Sequence, residues 1–164
     1  MRFLGFAVVA SAIVLGACGG GDNAANTDSS APAAAPDSMP AAAPATGAMA
    51  PITGQTHEVK MIGDAQGFRF EPADITIKQG DGIKFVFVNG GPHNVAFDAA
   101  TLSPEAKAAL LANMPEQQGE LSGKMLMAEG ESYTISFAGV PTGTYDYVCT
   151  PHMAMNMKGK ITIQ

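Results

Sequence analysis

The sequence predicts an all-β domain, an antiparallel sandwich or barrel with one short helix. Between residues 57 and 164, short segments alternate apolar and polar residues with a period of two, which is typical of strands with one buried face. Turns rich in Gly and Pro separate them, as in KQGDG, NGGP and GVPTG. One segment alone, SPEAKAALLANM, has a helical pattern.

The predicted strands follow the alternating segments in chain order: EVKMI, DITIK, IKFVFV, HNVAF, SYTISF, TYDYVC and KGKITIQ. The helix is predicted to begin after Ser103, because Ser is a favoured N-cap and Pro104 and Glu105 suit the first helical turn. We expect this helix to lie across an edge of the sandwich.

The first residues read as an export signal. Arg2 precedes an apolar run from Phe3 to Leu15, which is shorter than the roughly 20 residues of a membrane-spanning helix. Residues 1–17 are therefore predicted to be a signal peptide. The ending LGAC resembles a bacterial lipobox, in which Cys18 becomes lipidated and begins the mature chain, although an ordinary signal with an incidental Cys18 is the alternative. We predict an exported lipoprotein, anchored to a membrane and facing the periplasm or the cell exterior.

Residues 18–51 are predicted to be the lipidated Cys18 and a flexible tether, with the folded domain at 52–164. The tether is rich in Ala, Pro, Gly and Ser and has no basic or aromatic residue, so it cannot repay the entropy cost of ordering. The formal net charge is −6 and the nine basic residues are scattered, which argues against a nucleic-acid partner. The expected partner is a protein or a small ion. The protein itself is expected to be a monomer.

Candidate metal ligands stand at the ends of predicted strands. Cys149 ends one strand, His152 follows three residues later, and His93 begins another strand after a Gly-Gly-Pro turn. A thiolate, two imidazoles and a weak axial thioether form the ligand set of a trigonal copper site, whereas zinc more often takes four strong ligands. Each residue alone has a structural explanation, such as a small buried hydrophobe for Cys149. Together they predict one bound copper ion.

Three methionines compete for the axial position: Met153, Met155 and Met157. Met157 shares the parity of Ile161 and Ile163 in the last strand, so it points inward from a rigid element. Met155 has the same parity but lies in the loop, where parity carries no weight. Met157 is therefore predicted to be the axial ligand.

These segments resemble the blue copper proteins of the cupredoxin superfamily, over residues 57–164. FEPADITIKQGD, GPHNVAFDA and GTYDYVCTPH with MKGKITI are similar to plastocyanin, the loop CTPHMAMNM is similar to that of pseudoazurin, and the preceding tether is similar to that of auracyanin-like membrane-attached relatives. The resemblance implies an eight-stranded Greek-key sandwich that carries single electrons between redox proteins of the cytochrome or membrane oxidoreductase type. The spacing of the ligands in this family also implies that Met157 is the axial ligand.

The resemblance implies a further contact beside the metal, in which Asn94 hydrogen-bonds the backbone at Thr150. Two departures from plant-type plastocyanin limit what it implies. Val148 stands where the family has an exposed aromatic residue, and AATLSPEAK replaces an acidic stretch. A remote acidic docking face and a photosynthetic role are therefore not implied.

A docking surface is predicted where the His152 imidazole edge emerges through an apolar patch. The residues of this patch are Pro151, Met153, Met155, Gly90 and Gly91. The alternative is that its methionines only seal copper from water.

An electron carrier is favoured over an enzyme, because the one spare histidine, His57, provides no material for a second copper cluster. His57 itself is predicted to be a surface residue. The alternative function is a periplasmic copper trafficking or storage protein, which ten methionines and the KMLM segment at 124–127 suggest.

Overall fold

Residues 48–164 are described by a computed structural model of the protein. The predicted signal peptide at 1–17, the predicted lipidation site Cys18 and most of the predicted tether at 18–51 lie outside the described residues. Within the described range the strands are β1 (Thr56–Asp64), β2 (Gly67–Glu71), β3 (Asp74–Ile77), β4 (Gly82–Phe87), β5 (Ala96–Phe97), β6 (Ser132–Ser136), β7 (Gly143–Val148) and β8 (Lys158–Ile163). The helix α1 (Pro104–Asn113) and two 3₁₀ segments (Ala99–Thr101 and Thr150–Met155) accompany them.

The strands form two four-stranded sheets, in the orders β2-β1-β4-β6 and β3-β8-β7-β5. The predicted all-β sandwich with eight strands and one short helix is thereby confirmed. Four strand pairs are antiparallel, but β1 pairs with β4 and β3 pairs with β8 in parallel. The sequence could not distinguish the two kinds of pairing, because side chains alternate with the same period in both.

Two strands differ from the sequence-based prediction. Strand β2, with the sequence GFRFE, was not predicted, although Phe68 and Phe70 alternate with a polar residue. Strand β5 covers two residues rather than the predicted five, because the backbone of His93 pairs with Leu126 instead of with β7. The backbone of His93 therefore bonds to a loop residue. Pairing between β5 and β7 begins only at Ala96.

An aromatic cluster in the core joins the two sheets near the end of β7. The ring centroid of Tyr147 in β7 lies 4.7 Å from that of Phe70 and 5.6 Å from that of Phe85. The Tyr147 hydroxyl donates a hydrogen bond to the carbonyl of Ala73 at 2.9 Å. Since Tyr147 stands two residues before Cys149, this packing fixes the end of β7 that precedes the predicted ligands.

The helix α1 begins as predicted and lies against β6, the edge strand of its sheet. Ser103 is the N-cap, and its side chain accepts a hydrogen bond from the backbone N–H of Ala106 at 3.2 Å. After the helix, the Tyr133 hydroxyl of β6 donates to the carbonyl of Pro115 at 2.7 Å. The helices found in residues 48–164 are all too short or too polar to cross a membrane.

The pairing of β5 with β7 brings the candidate ligands to one end of the sandwich. Ala96 in β5 lies opposite Val148 in β7, and the two strands run antiparallel. The residues before β5 and those after β7 must therefore lie at the same end. His93 belongs to the first group and Cys149 to the second.

At the opposite end, residues 50–55 are bonded to the start of the sandwich. The N–H of Ala50 donates to the buried Asn113 side chain at 3.1 Å, two residues before the predicted domain boundary at 52. The N–H of Gln55 donates to Asp81 at 2.8 Å. His57, predicted to be a surface residue, is half-buried and its Nε2–H donates to Asp81 at 2.9 Å.

Candidate metal centre

The structure brings together His93, Cys149 and His152, whose side-chain donor atoms all lie within 4.8 Å of one another. The Cys149 Sγ is 3.6 Å from the Nδ1 of His93 and 3.4 Å from the Nδ1 of His152. Cys149 and His93 are fully buried, and His152 is 6% exposed. One thiol sulfur and two imidazole nitrogens therefore face a common point that is shielded from water.

A tight turn places His152 back over Cys149. The backbone N–H of His152 donates to the carbonyl of Cys149 at 3.1 Å, and the 3₁₀ segment Thr150–Met155 begins at this turn. Pro151 suits the first turn of such a segment because its fixed φ is already helical and its missing N–H needs no partner.

Met157 is fully buried beside Cys149. The pairing of Val148 with Lys158 continues by one residue, so that the N–H of Cys149 donates to the carbonyl of Met157 at 3.0 Å. Residues opposite each other on antiparallel strands point to the same face, with their Cβ atoms about 5 Å apart. The side chain of Met157 is thus directed to the same face as the Cys149 thiol. Met155 is 49% exposed and lies outside this arrangement.

His93 is held by hydrogen bonds on its backbone and on its ring. Its N–H and C=O bond to the C=O and N–H of Leu126 at 3.0 and 2.8 Å. Its Nε2 lies 2.9 Å from the carbonyl of Asn89, so Nε2 carries the proton and donates. The Nδ1 nitrogen facing Cys149 therefore has a free lone pair, as a metal ligand requires.

A close approach of two glycines supports the Asn89 carbonyl. The N–H of Gly63 donates to this carbonyl at 3.0 Å. Gly90 has φ +94°, and a Cβ at this position would collide with the backbone of Gly63. Only glycine permits both this φ and this contact.

Burial sets the protonation of the candidate ligands. It lowers the pKa of His93 and of His152, and the neighbouring His93 lowers that of His152 further. Burial also raises the pKa of the Cys149 thiol, although hydrogen bonds from backbone groups of Asn94 and His152 act in the opposite direction. Without metal, the imidazoles are favoured in their neutral, metal-binding form, and the thiol must lose its proton when a metal binds.

Asn94 connects the two chain segments that supply the ligands. Its side-chain oxygen accepts from the backbone N–H of Thr150 at 2.7 Å, and its Nδ2 donates to the hydroxyls of Thr150 at 3.2 Å and Ser122 at 3.0 Å. Asn94 is 3% exposed. The structure thus contains the Asn94–Thr150 contact that the family resemblance implies.

Sequence reasoning missed the aromatic residues around the two imidazoles. The ring of Phe68 stacks on His152, with centroids 3.8 Å apart and planes 15° apart. Phe87 lies edge-on to His93 with centroids 5.0 Å apart. The alternation of Phe68 and Phe70 was a signal for the missed strand β2, but no local pattern links Phe68 to His152. The carbonyl of Asn89 and the backbone of Leu126 were missed for the same reason.

The predicted docking residues are accessible to solvent, and so is one edge of the His152 ring. The Nε2 atom of His152 has no hydrogen-bond partner within residues 48–164. Every buried side-chain nitrogen in this range has such a partner. The Nε2 atom is therefore not buried and reaches solvent. Met153 is 55% exposed. The other predicted docking residues are also at least partly accessible: Pro151, Met155, Gly90 and Gly91.

The geometry of the donor atoms fits a bound metal ion. Metal–nitrogen bonds of about 2.0 Å and metal–sulfur bonds of about 2.3 Å, set about 120° apart, separate nitrogen from sulfur by about 3.7 Å. The observed separations of 3.6 and 3.4 Å agree with this arrangement. A thiolate, two imidazoles and the buried thioether of Met157 are the donor set that copper prefers at a trigonal site with a weak axial ligand. A single-copper centre in a β-sandwich defines the class of blue copper proteins.

The chain belongs to the plastocyanin/azurin family of copper binding proteins, whose family model matches residues 57–164. A plastocyanin from Nostoc punctiforme is 38% identical over 111 residues, which cover 67% of this chain and 75% of the relative. A plastocyanin from Scenedesmus fuscus is 38% identical over 106 residues, which cover 65% of this chain and 97% of the relative.

The structure of oxidized plastocyanin from Dryopteris crassirhizoma is similar with a TM-score of 0.51 and 32% identity. The match covers 65% of this chain and 99% of that one. The family and the site together indicate a copper electron-transfer protein rather than a catalyst, with one copper ion as cofactor and redox proteins as partners.

Proposed function

We propose that this protein is an exported blue copper carrier that cycles between Cu(I) and Cu(II) and passes single electrons between redox proteins. The observation that carries the proposal is the buried Cys149 thiol, 3.4–3.6 Å from two imidazole nitrogens. Bound copper supplies the one-electron couple. The cytochrome or membrane oxidoreductase type of partner remains the expectation from the family resemblance.

The surrounding residues hold the ligands in one arrangement for both oxidation states. Asn89 fixes the ring of His93, Asn94 ties Thr150 to the segment that contains His93, and the Phe68 ring covers one face of His152. Ligands held by their own hydrogen bonds and packing move little when the charge on the metal changes. A site of this kind suits fast electron transfer, because little rearrangement is needed.

His152 is the proposed route for electrons. It is the one ligand whose ring edge reaches solvent within the described residues, whereas Cys149, His93 and Met157 are fully buried. The proposed docking patch around it consists of Pro151, Met153, Met155, Gly90 and Gly91. Transient redox encounters use small interfaces, and an exposed apolar patch of this kind marks such a surface.

The test is the visible spectrum of the copper-loaded, full-length protein. We expect an intense charge-transfer band from the Cys149 thiolate and its loss in Cys149→Ser. Cys18→Ser is the matched control, since it makes the same chemical change in the other cysteine and should leave the band intact. Colour that persists in Cys149→Ser would contradict the copper site.

A copper trafficking or storage role is the second candidate, and the exposed methionines near the ligands favour it. A carrier should give a reversible one-electron wave in voltammetry and retain its copper in the presence of an apo acceptor. A trafficking protein should transfer copper rapidly to that acceptor. The hydrogen bonds that hold His93 and Thr150 support the carrier, because they keep the ligands in the geometry that retains copper.

We also propose that lipid at Cys18 anchors the protein to a membrane, facing the periplasm or the cell exterior, as a monomer on a tether. The LGAC ending of the apolar run supports this proposal. Cys18→Ser should move the protein from the membrane fraction to the soluble fraction. A variant that still sediments with membranes would show that another feature holds it there.

A further inference from the structure

The large hydrophobic side chains on the surface of the domain are methionines. Within residues 48–164, the large hydrophobic side chains that are exposed are Met127 at 68%, Met153 at 55% and Met155 at 49%. The largest branched and aromatic side chains are in the core. Something other than general hydrophobicity therefore accounts for methionine at these three positions.

All three methionines belong to chain segments that contain or bond the candidate histidine ligands. Met153 and Met155 lie in the 3₁₀ segment that contains His152. Met127 follows Leu126, whose backbone N–H and C=O both bond to His93. We call Met127, Met153 and Met155 the methionine rim.

The metal centre needs a route for copper to enter. His93, Cys149 and Met157 are fully buried, so an incoming ion meets the residues around His152 first. A thioether is a soft, neutral ligand that prefers Cu(I) to Cu(II) or to zinc, and it has no proton to lose. Methionine and Leu can both form an apolar docking surface, but only the thioether of methionine adds a ligand for Cu(I).

We propose that the methionine rim captures Cu(I) and delivers it to the buried site. The transfer is a ligand exchange without a change of oxidation state. Bonds from copper to thioether sulfur break while bonds to the imidazoles of His93 and His152 and to the sulfur of Cys149 form, and the Cys149 thiol releases its proton to water. The inference rests on the proposed copper site, but it does not require that the protein transfer electrons.

The test compares Cu(I) and Cu(II) uptake by the full-length apo protein. Anaerobic Cu(I) uptake is followed by the loss of colour of a Cu(I)–bicinchoninate complex, and Cu(II) uptake by the appearance of the charge-transfer band. The triple variant Met127→Leu, Met153→Leu, Met155→Leu keeps apolar side chains of similar volume and removes the sulfur. We expect the Cu(I) uptake rate, divided by the Cu(II) uptake rate, to fall about tenfold. Mutation of residues that surround metal ligands typically lowers metal affinity or activity about 10–100-fold, and the expected change is the lower end of this range.

Met114→Leu is the matched control, because Met114 is buried in the core and should leave the ratio unchanged. An unchanged ratio in the triple variant, or an equal slowing of Cu(I) and Cu(II), would overturn the proposal. Voltammetry of the loaded protein tests electron transfer separately, so a missing one-electron wave would leave the uptake result interpretable.

A binding measurement supplies a second readout. Ag(I), a stand-in for Cu(I) that does not change oxidation state, is added to the copper-loaded protein with ¹³C-labelled methionine methyl groups. We expect resonance shifts for Met127, Met153 and Met155 but none for the buried Met61 and Met114. The absence of shifts at the rim would overturn the proposal.

Discussion

At the residue scale, the two histidines are held in different ways. His93 has hydrogen bonds on its ring and on both sides of its backbone, to Asn89 and Leu126. His152 is held by a turn and by stacking on Phe68, and the far edge of its ring reaches solvent. The first arrangement fixes a ligand, and the second leaves a ligand open to contact with a partner. This difference supports the proposed exchange of electrons through His152.

The axial ligand provides a prediction at the same scale. Met157→Leu should keep a coloured site and raise its reduction potential on the order of 60 mV, equivalent to about 1.4 kcal/mol for one electron. The reason is that the oxidised metal loses a weak donor. Met155→Leu, at an exposed position of the same loop, should change the potential little. Voltammetry of both variants checks this, and the reverse ranking would show that the loop register is wrong.

At the scale of elements, the loop between β4 and β5 positions His93 from outside the strands. Asn89 provides the carbonyl that orients the His93 ring, and the contact between Gly90 and Gly63 sets the path of this loop against β1. A backbone change at Gly90 should therefore reach the metal through Asn89, although Gly90 is not one of the predicted ligands.

Gly90→Ala tests this connection. The new Cβ meets both an unfavourable φ of +94° and the Gly63 backbone. Gly130→Ala is the control, because Gly130 has φ +83° but open space where the Cβ would lie. We expect Gly130→Ala to lower the free energy of unfolding by about 1–2 kcal/mol, from the backbone conformation alone. Gly90→Ala should lower it by about 3 kcal/mol, because a steric clash is added.

Denaturant unfolding of the two apo variants measures these losses. The copper dissociation rate should rise in Gly90→Ala and not in Gly130→Ala. Equal losses of stability would mean that the Gly63 contact relaxes without cost, and equal dissociation rates would mean that Asn89 does not hold His93 in place.

The sequence revealed those elements whose signals are local. The helix start at Ser103 was predictable because capping depends on the adjacent residues. The ligand residues were recognisable because Cys149 and His152 belong to one short loop. The stacking of Phe68 on His152 and the bond from His93 to Asn89 were not predictable, because they depend on how separate strands and loops pack in space. The parallel pairing of β1 with β4 was hidden for the same reason.

At the scale of the whole molecule, the domain has a metal-binding end and an opposite end built around Asp81. Asp81 accepts hydrogen bonds from the backbone N–H groups of Lys78 at 3.0 Å and Gln55 at 2.8 Å, and from the His57 ring at 2.9 Å. The N–H of Lys78 contributes most, followed by His57, to lowering the Asp81 pKa to about 2. This carboxylate joins the residues before β1 to the start of β4.

The lowered pKa predicts how stability depends on pH. A carboxyl whose pKa is lower in the folded than in the unfolded chain stabilises the fold above pH of about 4 and loses this contribution as the pH falls toward 2. Asp81→Asn should lower the free energy of unfolding at neutral pH by about 1–2 kcal/mol, because an amide accepts fewer of these hydrogen bonds. It should also flatten the fall in stability between pH 4 and 2.

Thermal unfolding of the apo protein at several pH values measures both effects. Asp146→Asn is the control, since the exposed Asp146 side chain has no hydrogen-bond partner in the described residues and should leave stability nearly unchanged. An unaltered pH dependence in Asp81→Asn would contradict the role of this carboxylate.

Part of the charge on the domain surface is arranged in pairs. Exposed ion pairs join Arg69 to Asp64 at 2.8 Å and Lys124 to Glu116 at 3.2 Å. Lys107 lies 2.7 Å from Glu120. Paired charges of opposite sign produce a weak field at a distance, and the docking patch itself has no charged residue. Long-range steering of a partner toward this patch should therefore be modest. The apolar patch around His152 should then govern the encounter.

Met153→Lys tests docking at this patch. A charge there must be desolvated when a partner covers His152, so we expect electron transfer to the physiological partner to slow about tenfold or more, with an unchanged spectrum. Thr142→Lys places the same charge in the exposed turn before β7, at the end opposite the metal, and should leave the rate nearly unchanged. Stopped-flow kinetics at several salt concentrations provide the measurement, with a weak salt dependence expected for the wild type. Equal rates in the two variants, or a steep fall of the wild-type rate with salt, would place the docking surface elsewhere.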